Sequence, residues 1–296
     1  MRFYVSWYPD DPYYQLYDDD CAMLVSVSSV ARNWTLANFP KLPRAIIIDS
    51  GGYRYALSTD KHPTPAELLE RQLKILGQAQ VRATLCALDF PIIRPDMTSN
   101  ERDRCITQTI AYACEFKCLV AKYRFTGDVD CLAVIQGYDI PTLSYCAREL
   151  KAIGFARYGL GSLALLKHHD EILARARAVM DIIGSNLHVF GIGSIYTLKA
   201  LKEMGVQSAD SARPAKSAAY NQVFYSHPFR RFAIAASQDK VGARMPQHRR
   251  LVEPLPCDCP ACHGRANPDI LKFGKKEHIG IRAIHNYYHL KQEITT

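Results

Sequence analysis

The chain contains no run of eighteen uninterrupted apolar residues, which excludes a membrane-spanning helix as a reading of its sequence. Its opening, Met1-Arg2-Phe3-Tyr4-Val5, lacks the charged region, apolar stretch and small-residue cleavage site of a signal peptide, so a soluble, cytoplasmic protein is expected. Internal repeats and low-complexity tracts are also missing. Acidic residues are scarce in one place: 213–250 holds eight Lys or Arg (213, 216, 230, 231, 240, 244, 249, 250) against the single acid Asp239, within a net charge of +8. Ten cysteines are present, but Cys21, Cys86, Cys105, Cys114, Cys118, Cys131 and Cys146 are scattered in apolar or helical settings, as reduced core thiols are, and no disulfide framework is indicated. What is there, 296 residues with 48% hydrophobic content, suits one large domain or a barrel with an appendage.

Short β-branched runs alternate with helical stretches, the pattern of βα units around a parallel sheet. The sequence predicts strands over 23–28, 45–49, 83–88, 131–136, 157–160, 187–191, 206–209 and 232–236, with helices over 65–79, 100–122, 140–153, 170–183 and 196–204. Eight such units make a (β/α)8 TIM barrel, expected to fill 1–240. Thr64-Pro65 and Thr98-Ser99-Asn100-Glu101 read as helix caps, and Gly154 and Gly184 as helix ends. Past Ser237 the pattern breaks into Pro-, Gly- and Cys-rich sequence, so 241–296 reads as a small zinc-binding subdomain with a closing helix.

In a parallel barrel the chemistry sits at the carboxyl ends of the strands. Four apolar runs stop at a polar signature: Ile46-Ile47-Ile48-Asp49-Ser50-Gly51-Gly52-Tyr53, Ala87-Leu88-Asp89, Val134-Ile135-Gln136-Gly137 and Gly205-Val206-Gln207-Ser208-Ala209-Asp210. Asp49, Asp89, Gln136 and Asp210 would then point into one mouth, although a single Asp after a strand is more often a cap or turn former. The Gly51-Gly52 pair is either a plain turn or a place where backbone closely approaches a flat ligand, on which Tyr53 could stack.

Cys257-Asp-Cys259-Pro-Ala-Cys262 places three thiolates at metal-ligand spacing, and His263, His278, His285 and His289 are candidates for a fourth ligand of a tetrahedral zinc site. Four protein ligands leave no open position, so one zinc per chain would be structural. The basic stretch interleaves Arg213, Lys216, Arg230 and Arg231 with Tyr220, Phe224, Tyr225, Phe229 and Phe232. Rings among cations suit contact with a nucleic-acid backbone and its bases, whereas the same rings on a strand would be ordinary core.

Taken together, these signatures resemble the tRNA-guanine transglycosylase superfamily, from about Met23 to Tyr288. That family's Asp-Ser-Gly-Gly-Phe/Tyr-Gln motif, which supplies an acid/base carboxylate and a stacking aromatic, is similar to Asp49-Ser50-Gly51-Gly52-Tyr53-Arg54, departing at the last position. Its Leu-Asp-Glu-Cys, which reads the purine edge, resembles Leu88-Asp89-Phe90-Pro91. Its Val-Gln-Gly-Gly and Gly-Gly-Leu-Ala, which read the base through an amide and backbone groups, resemble Ile135-Gln136-Gly137-Tyr138 and Gly161-Ser162-Leu163-Ala164. Its Met-Gly-Val-Gly resembles Phe190-Gly191-Ile192-Gly193, which would set Phe190 on the opposite face of the base from Tyr53. Its nucleophile motif resembles Gly205-Val206-Gln207-Ser208-Ala209-Asp210-Ser211, and its zinc histidine, in a His-Asn dipeptide opening the last helix, resembles His285-Asn286.

The resemblance implies an enzyme, a pentosyltransferase working by double displacement. Asp210 would attack the anomeric carbon, guanine would leave with a proton shared with Asp49, and a second base would enter after Asp49 removed its proton. The target nucleotide would be flipped out or single-stranded, with the basic segment on its phosphates. The superfamily acts on tRNA, except for a divergent branch that inserts 7-deazaguanines into DNA in phages and in bacterial modification and restriction clusters. The sequence leans to DNA in such a phage-infected or bacterial cell, with tRNA the alternative. It ends eleven residues after His285, and Ser211-Ala212-Arg213-Pro214-Ala215-Lys216 stands where tRNA enzymes carry a Pro-Thr-Arg stretch. Free 7-cyano-7-deazaguanine (preQ0) would be the incoming base, and the family's tRNA enzymes allow a homodimer. Two other classes stand beside this. A noncatalytic, zinc-stabilised nucleic-acid binder is opposed by the presence of Asp49, Asp89 and Asp210, and a nucleoside hydrolase leaves the basic segment without a task.

Overall fold

A computed structural model of the chain describes residues 1–58, 62–125, 127–166, 168–234, 246–273 and 275–295. Eight parallel strands close into a barrel: β1 (Arg2–Trp7), β2 (Ala22–Ser26), β3 (Ala45–Asp49), β4 (Arg82–Cys86), β5 (Val129–Ile135), β6 (Arg157–Leu160), β7 (Leu187–Val189) and β8 (Ser208–Ser211). Helices α1 (Gly52–Leu57) and α2 (Pro65–Leu76) follow β3, and α3 (Ser99–Val120), α4 (Ile140–Ala152), α5 (His169–Ile183) and α6 (Ile195–Glu203) follow the next four strands. The (β/α)8 class expected from the sequence is the class found. The helix starts obey their caps: the Thr64 and Thr98 hydroxyls accept from the backbone N–H of Glu67 and Glu101, whose carboxylates return the bond. Gly77, with φ +56°, ends α2 short of the expected residue 79.

One strand was misplaced. The segment expected as the eighth barrel strand, 232–236, falls in a three-stranded sheet, as β10 (Arg230–Ile234) between β9 (Gln222–Tyr225) and β11 (Arg250–Leu251); residues 235–236 lie outside the described residues. The barrel is completed instead by β1, whose Arg2 N–H donates to the carbonyl of Gln207 at 2.8 Å. β1 is buried on both faces, so it shows no alternation, and only 3-10 turns connect β1 to β2 and β2 to β3. The βα rhythm is silent in the two connections between the first three strands.

Chain contacts define two compact units, Met1–Pro9 with Asp20–Asp210, and Asp10–Asp19 with Ser211–Thr296. This division differs from the expected one at 240/241, because α7 (Arg213–Ala219), β9 and α8 (Lys276–Thr295) pack together. The first unit has its core inside the barrel, where Tyr4, Leu24, Ile47, Cys86, Leu132 and Val134 meet with Phe190 against them. The second gathers Val223, Tyr225, Ile234, Leu251 and Ile270 around Cys259 and Cys262. Of the seven scattered cysteines, Cys21, Cys86 and Cys146 are buried as expected, whereas Cys114 and Cys118 are exposed on α3. Among the described residues, no helix is long and apolar enough to cross a membrane.

Candidate active site and metal centre

Asp210 lies within β8 rather than beyond it, buried, with both carboxylate oxygens engaged. The Ser6 hydroxyl donates to Oδ2 at 2.6 Å, the Gly191 N–H donates to Oδ1 at 2.8 Å, and His188 Nε2 stands 3.2 Å from Oδ1. The other imidazole nitrogen, Nδ1, is 2.9 Å from the Ser208 hydroxyl. Such donors complement negative charge on a carboxylate. The sequence reading named Asp210 but missed Ser6, His188 and Ser208. In β1 and β8 the period of two sets Tyr4 with Ser6, and Ser208 with Asp210, on one face, but strands buried on both faces leave no alternation to mark these residues in the sequence.

Asp49 is the last residue of β3, its Oδ2 accepting from the Gly51 N–H at 3.0 Å. Burial raises its pKa, the bonds from Gly51 and the Ser26 side chain counter this, and the charge of Asp210 raises it again. Asp89, three residues past β4, is buried and accepts from the Ser50 hydroxyl at 2.8 Å and from the Gln136 amide. Burial first, and then the charge of Asp49, push Asp89 up to about 7. The chain of bonds continues: the Ser162 hydroxyl donates to Gln136 Oε1 and accepts from the Ile92 N–H at 3.0 Å. Gln136 is therefore fully buried and held between Asp89 and Ser162.

Close packing shapes the same region. A Cβ at Gly52 would lie 2.6 Å from Asp89 Oδ1, and one at Gly51, which has φ +81°, would lie 2.8 Å from Ser28. Glycine is required at both. Arg54, the residue that departs from the family motif, donates to the carbonyl of Ser28 and ties α1 to the loop after β2. Tyr53 is 57% exposed on α1 and Leu163 is buried, while Phe190 is half-buried with its ring edge-on to His188 at 4.5 Å. Gly137 precedes α4, where a Cβ would meet the backbone nitrogen of Leu143 at 2.7 Å.

In the second unit, Cys257, Cys259, Cys262 and His285 converge, their four ligand atoms within 4.8 Å of one another. His285 Nδ1 is 3.6, 3.3 and 3.6 Å from the three sulfurs, against the ~3.5 Å edge that Zn–S of about 2.3 Å and Zn–N of about 2.0 Å give a tetrahedron. Its other nitrogen is 2.7 Å from the Phe224 carbonyl, a placement that leaves Nδ1 free to bind metal. These residues fit zinc, which would tie the Cys257–Cys262 loop to α8. His285 sits in the middle of α8 rather than at its opening, and Asn286 beside it clamps β9 by accepting from Phe224 N–H and donating to the Gln222 carbonyl. The interleaved aromatics are mostly core: Phe224 and Tyr225 are buried, and Phe229 and Phe232 pack edge-on to them, leaving Tyr220 exposed. Of the cations, Lys216 and Arg230 are exposed on α7 and β10, and Arg213 is half-buried with its pKa lowered by burial and by the nearby charge of Arg231. Lys240 and Arg244 lie outside the described residues.

A (β/α)8 barrel bearing three carboxylates at its strand ends, and a C-terminal Cys3His cluster, define the class. Residues 22–296 match the family described as queuine tRNA-ribosyltransferase, and the chain belongs to this tRNA-guanine transglycosylase family. It is 26% identical over 276 residues to a queuine tRNA-ribosyltransferase of Moorella thermoacetica, covering 86% of this chain and 70% of that protein. It is 23% identical over 258 residues to a tRNA-guanine(15) transglycosylase of Methanopyrus kandleri, covering 85% of this chain and 50% of the relative. The corresponding protein of Thermococcus kodakarensis is 25% identical over 175 residues, covering 55% and 26%. The chain thus spans about a quarter to a half of the length of these archaeal relatives.

Proposed function

We propose that the chain is a pentosyltransferase that exchanges guanine in a nucleic acid for a 7-deazaguanine through a covalent glycosyl-enzyme on Asp210. The observation that carries this reading is the division among three neighbouring carboxylates: donors converge on Asp210, whereas Asp49 and Asp89 are pushed toward their protonated forms. In the first step an Asp210 oxygen bonds to C1′, the C1′–N9 bond breaks with its electron pair going to guanine, and Asp49 supplies the proton. In the second, Asp49 takes the proton from the incoming base, whose N9 bonds to C1′ as the ester bond to Asp210 breaks. Ser50, Gly51, Gly52, Asp89, Gln136, Gly137, Ser162 and Leu163 would form the base pocket, with Tyr53 and Phe190 stacking. Within it, the locked amide of Gln136 suits a role holding Asp89. Arg213, Lys216, Arg230 and Arg231 would bind phosphates, and Cys257, Cys259, Cys262 and His285 would hold a structural zinc outside the reaction.

The relatives named above support tRNA as the polymer. DNA, with preQ0 as the incoming base, stands as the second reading, on the departure at Ser211-Ala212-Arg213-Pro214-Ala215-Lys216. Incubation of the protein with radiolabelled guanine and, separately, bulk tRNA or plasmid DNA separates them. Label is expected in acid-precipitated polymer and at background for Asp210→Ala. Label in tRNA alone sinks the DNA reading, label in DNA alone sinks the tRNA reading, and label in neither sinks transglycosylation.

A further inference from the structure

Resting on the transglycosylase reading, we propose that His188 is a positioning residue that occupies Oδ1 of Asp210 and so makes Oδ2 the oxygen that attacks the anomeric carbon. His188 is 1% exposed, and a buried imidazole requires partners at both nitrogens. It has them: Ser208 Oγ at Nδ1, 2.9 Å away, and Asp210 Oδ1 at Nε2, 3.2 Å away. A carboxylate only accepts, so Nε2 carries the proton, whether Ser208 donates to Nδ1 or accepts from it. Parallel pairing sets His188 directly opposite Ser208 in the β7–β8 register, and the ring is wedged edge-on between Phe190 at 4.5 Å and Tyr4 at 5.7 Å. The imidazole is held in one place and one orientation.

The consequence lies in the lone pairs of Asp210. Oδ1 takes two N–H donors, from Gly191 and His188, while Oδ2 takes, among the described residues, only the hydroxyl of Ser6. An oxygen with both in-plane lone pairs engaged is a poor nucleophile, and Oδ2 keeps one lone pair for attack. As the bond from Oδ2 to C1′ forms and the C1′–N9 bond breaks, Oδ1 becomes the ester carbonyl and keeps both donors. When the second base attacks, the electron pair of the ester bond returns to a carboxylate those same donors receive, as donors in an oxyanion hole receive developing charge. His188 gives up no proton in either step; Asp49 carries all proton traffic.

The test compares wild type, Asp210→Ala, His188→Phe, His188→Gln and Ser208→Ala in the label-exchange assay, with kcat and KM for whichever polymer takes label. His188→Phe removes the donor, and loss of one such donor is expected to lower kcat by about 10²-fold while KM for the polymer stays within about twofold. His188→Gln, whose amide restores an N–H at the same distance along the side chain, is expected to recover about tenfold of that loss. Ser208→Ala keeps the ring but frees Nδ1, and a fall in kcat at constant KM is expected; it decides the matter if His188→Phe does not fold. Wild-type kcat in His188→Phe, or in Ser208→Ala where that variant must decide, overturns the proposal, as does a Gln variant no better than Phe when both are folded. Failure of the underlying reading is distinguishable: wild type itself then places no label in any polymer.

Discussion

At the residue scale, Asp89 carries a pH signature. Its pKa of about 7 in the folded chain lies above the ordinary carboxylate value, so the native state binds a proton more tightly than the unfolded state. Stability therefore falls as pH rises from about 4 to about 7 and is level beyond. Asp89→Asn removes this ionisation while leaving an oxygen for the Ser50 hydroxyl. Relative to wild type, its melting temperature is expected to be higher at pH 8 than at pH 5; an equal difference at both pH values would show that Asp89 does not titrate in this window. The same substitution separates stability from function: the Asn amide N–H would face the donating Gln136 amide at every pH, so guanine incorporation is expected to fall at both pH values while the stability difference moves between them.

At the element scale, the loop after β6 holds the Gln136 amide in place. A Cβ at Gly161 would lie 2.3 Å from Gln136 Nε2, and that amide cannot swing aside without releasing Asp89 or Ser162. Gly161→Ala is expected to raise KM for the free base by about tenfold, the weight of one good polar contact, with the barrel still folded by circular dichroism. An unchanged KM would mean that the amide is not part of the base pocket. This element also marks the limit of legibility in the sequence. Asp49, Asp89, Gln136 and Asp210 were visible because each interrupts or ends an apolar run. Ser6 and His188 were not, because one lies in a strand buried on both faces with no helix after it, and the other is a single polar residue inside Leu187-His188-Val189. The strand over 232–236 was misassigned because an amphipathic run reads alike in a barrel and in a small sheet; which sheet it joins depends on its pairing with β9, which packs on α8, distant in sequence.

At the scale of the whole molecule, the two compact units have cores of different origin. The barrel is closed by its own strands and apolar interior, whereas the second core is built around Cys259 and Cys262. Removing zinc with a chelator is expected to melt the second unit, with loss of the helical signal of α8, while a separate transition for the barrel stays in place. A single transition unmoved by chelation would show that the Cys3His cluster does not support that core through a metal. Closure of the barrel has a further meaning in time. Ser6 and Asp210 touch across 204 residues of chain, and a ribosome adding about 5–20 residues per second needs about 10–40 s to travel between them. Throughout that interval six or seven strands can pair with their sequence neighbours, but Asp210, and with it the donor from Ser6, cannot yet be present. The carboxylate that would do the chemistry is thus assembled only at the final join of the ring, and under the proposed mechanism a nascent or partly closed barrel would be chemically silent.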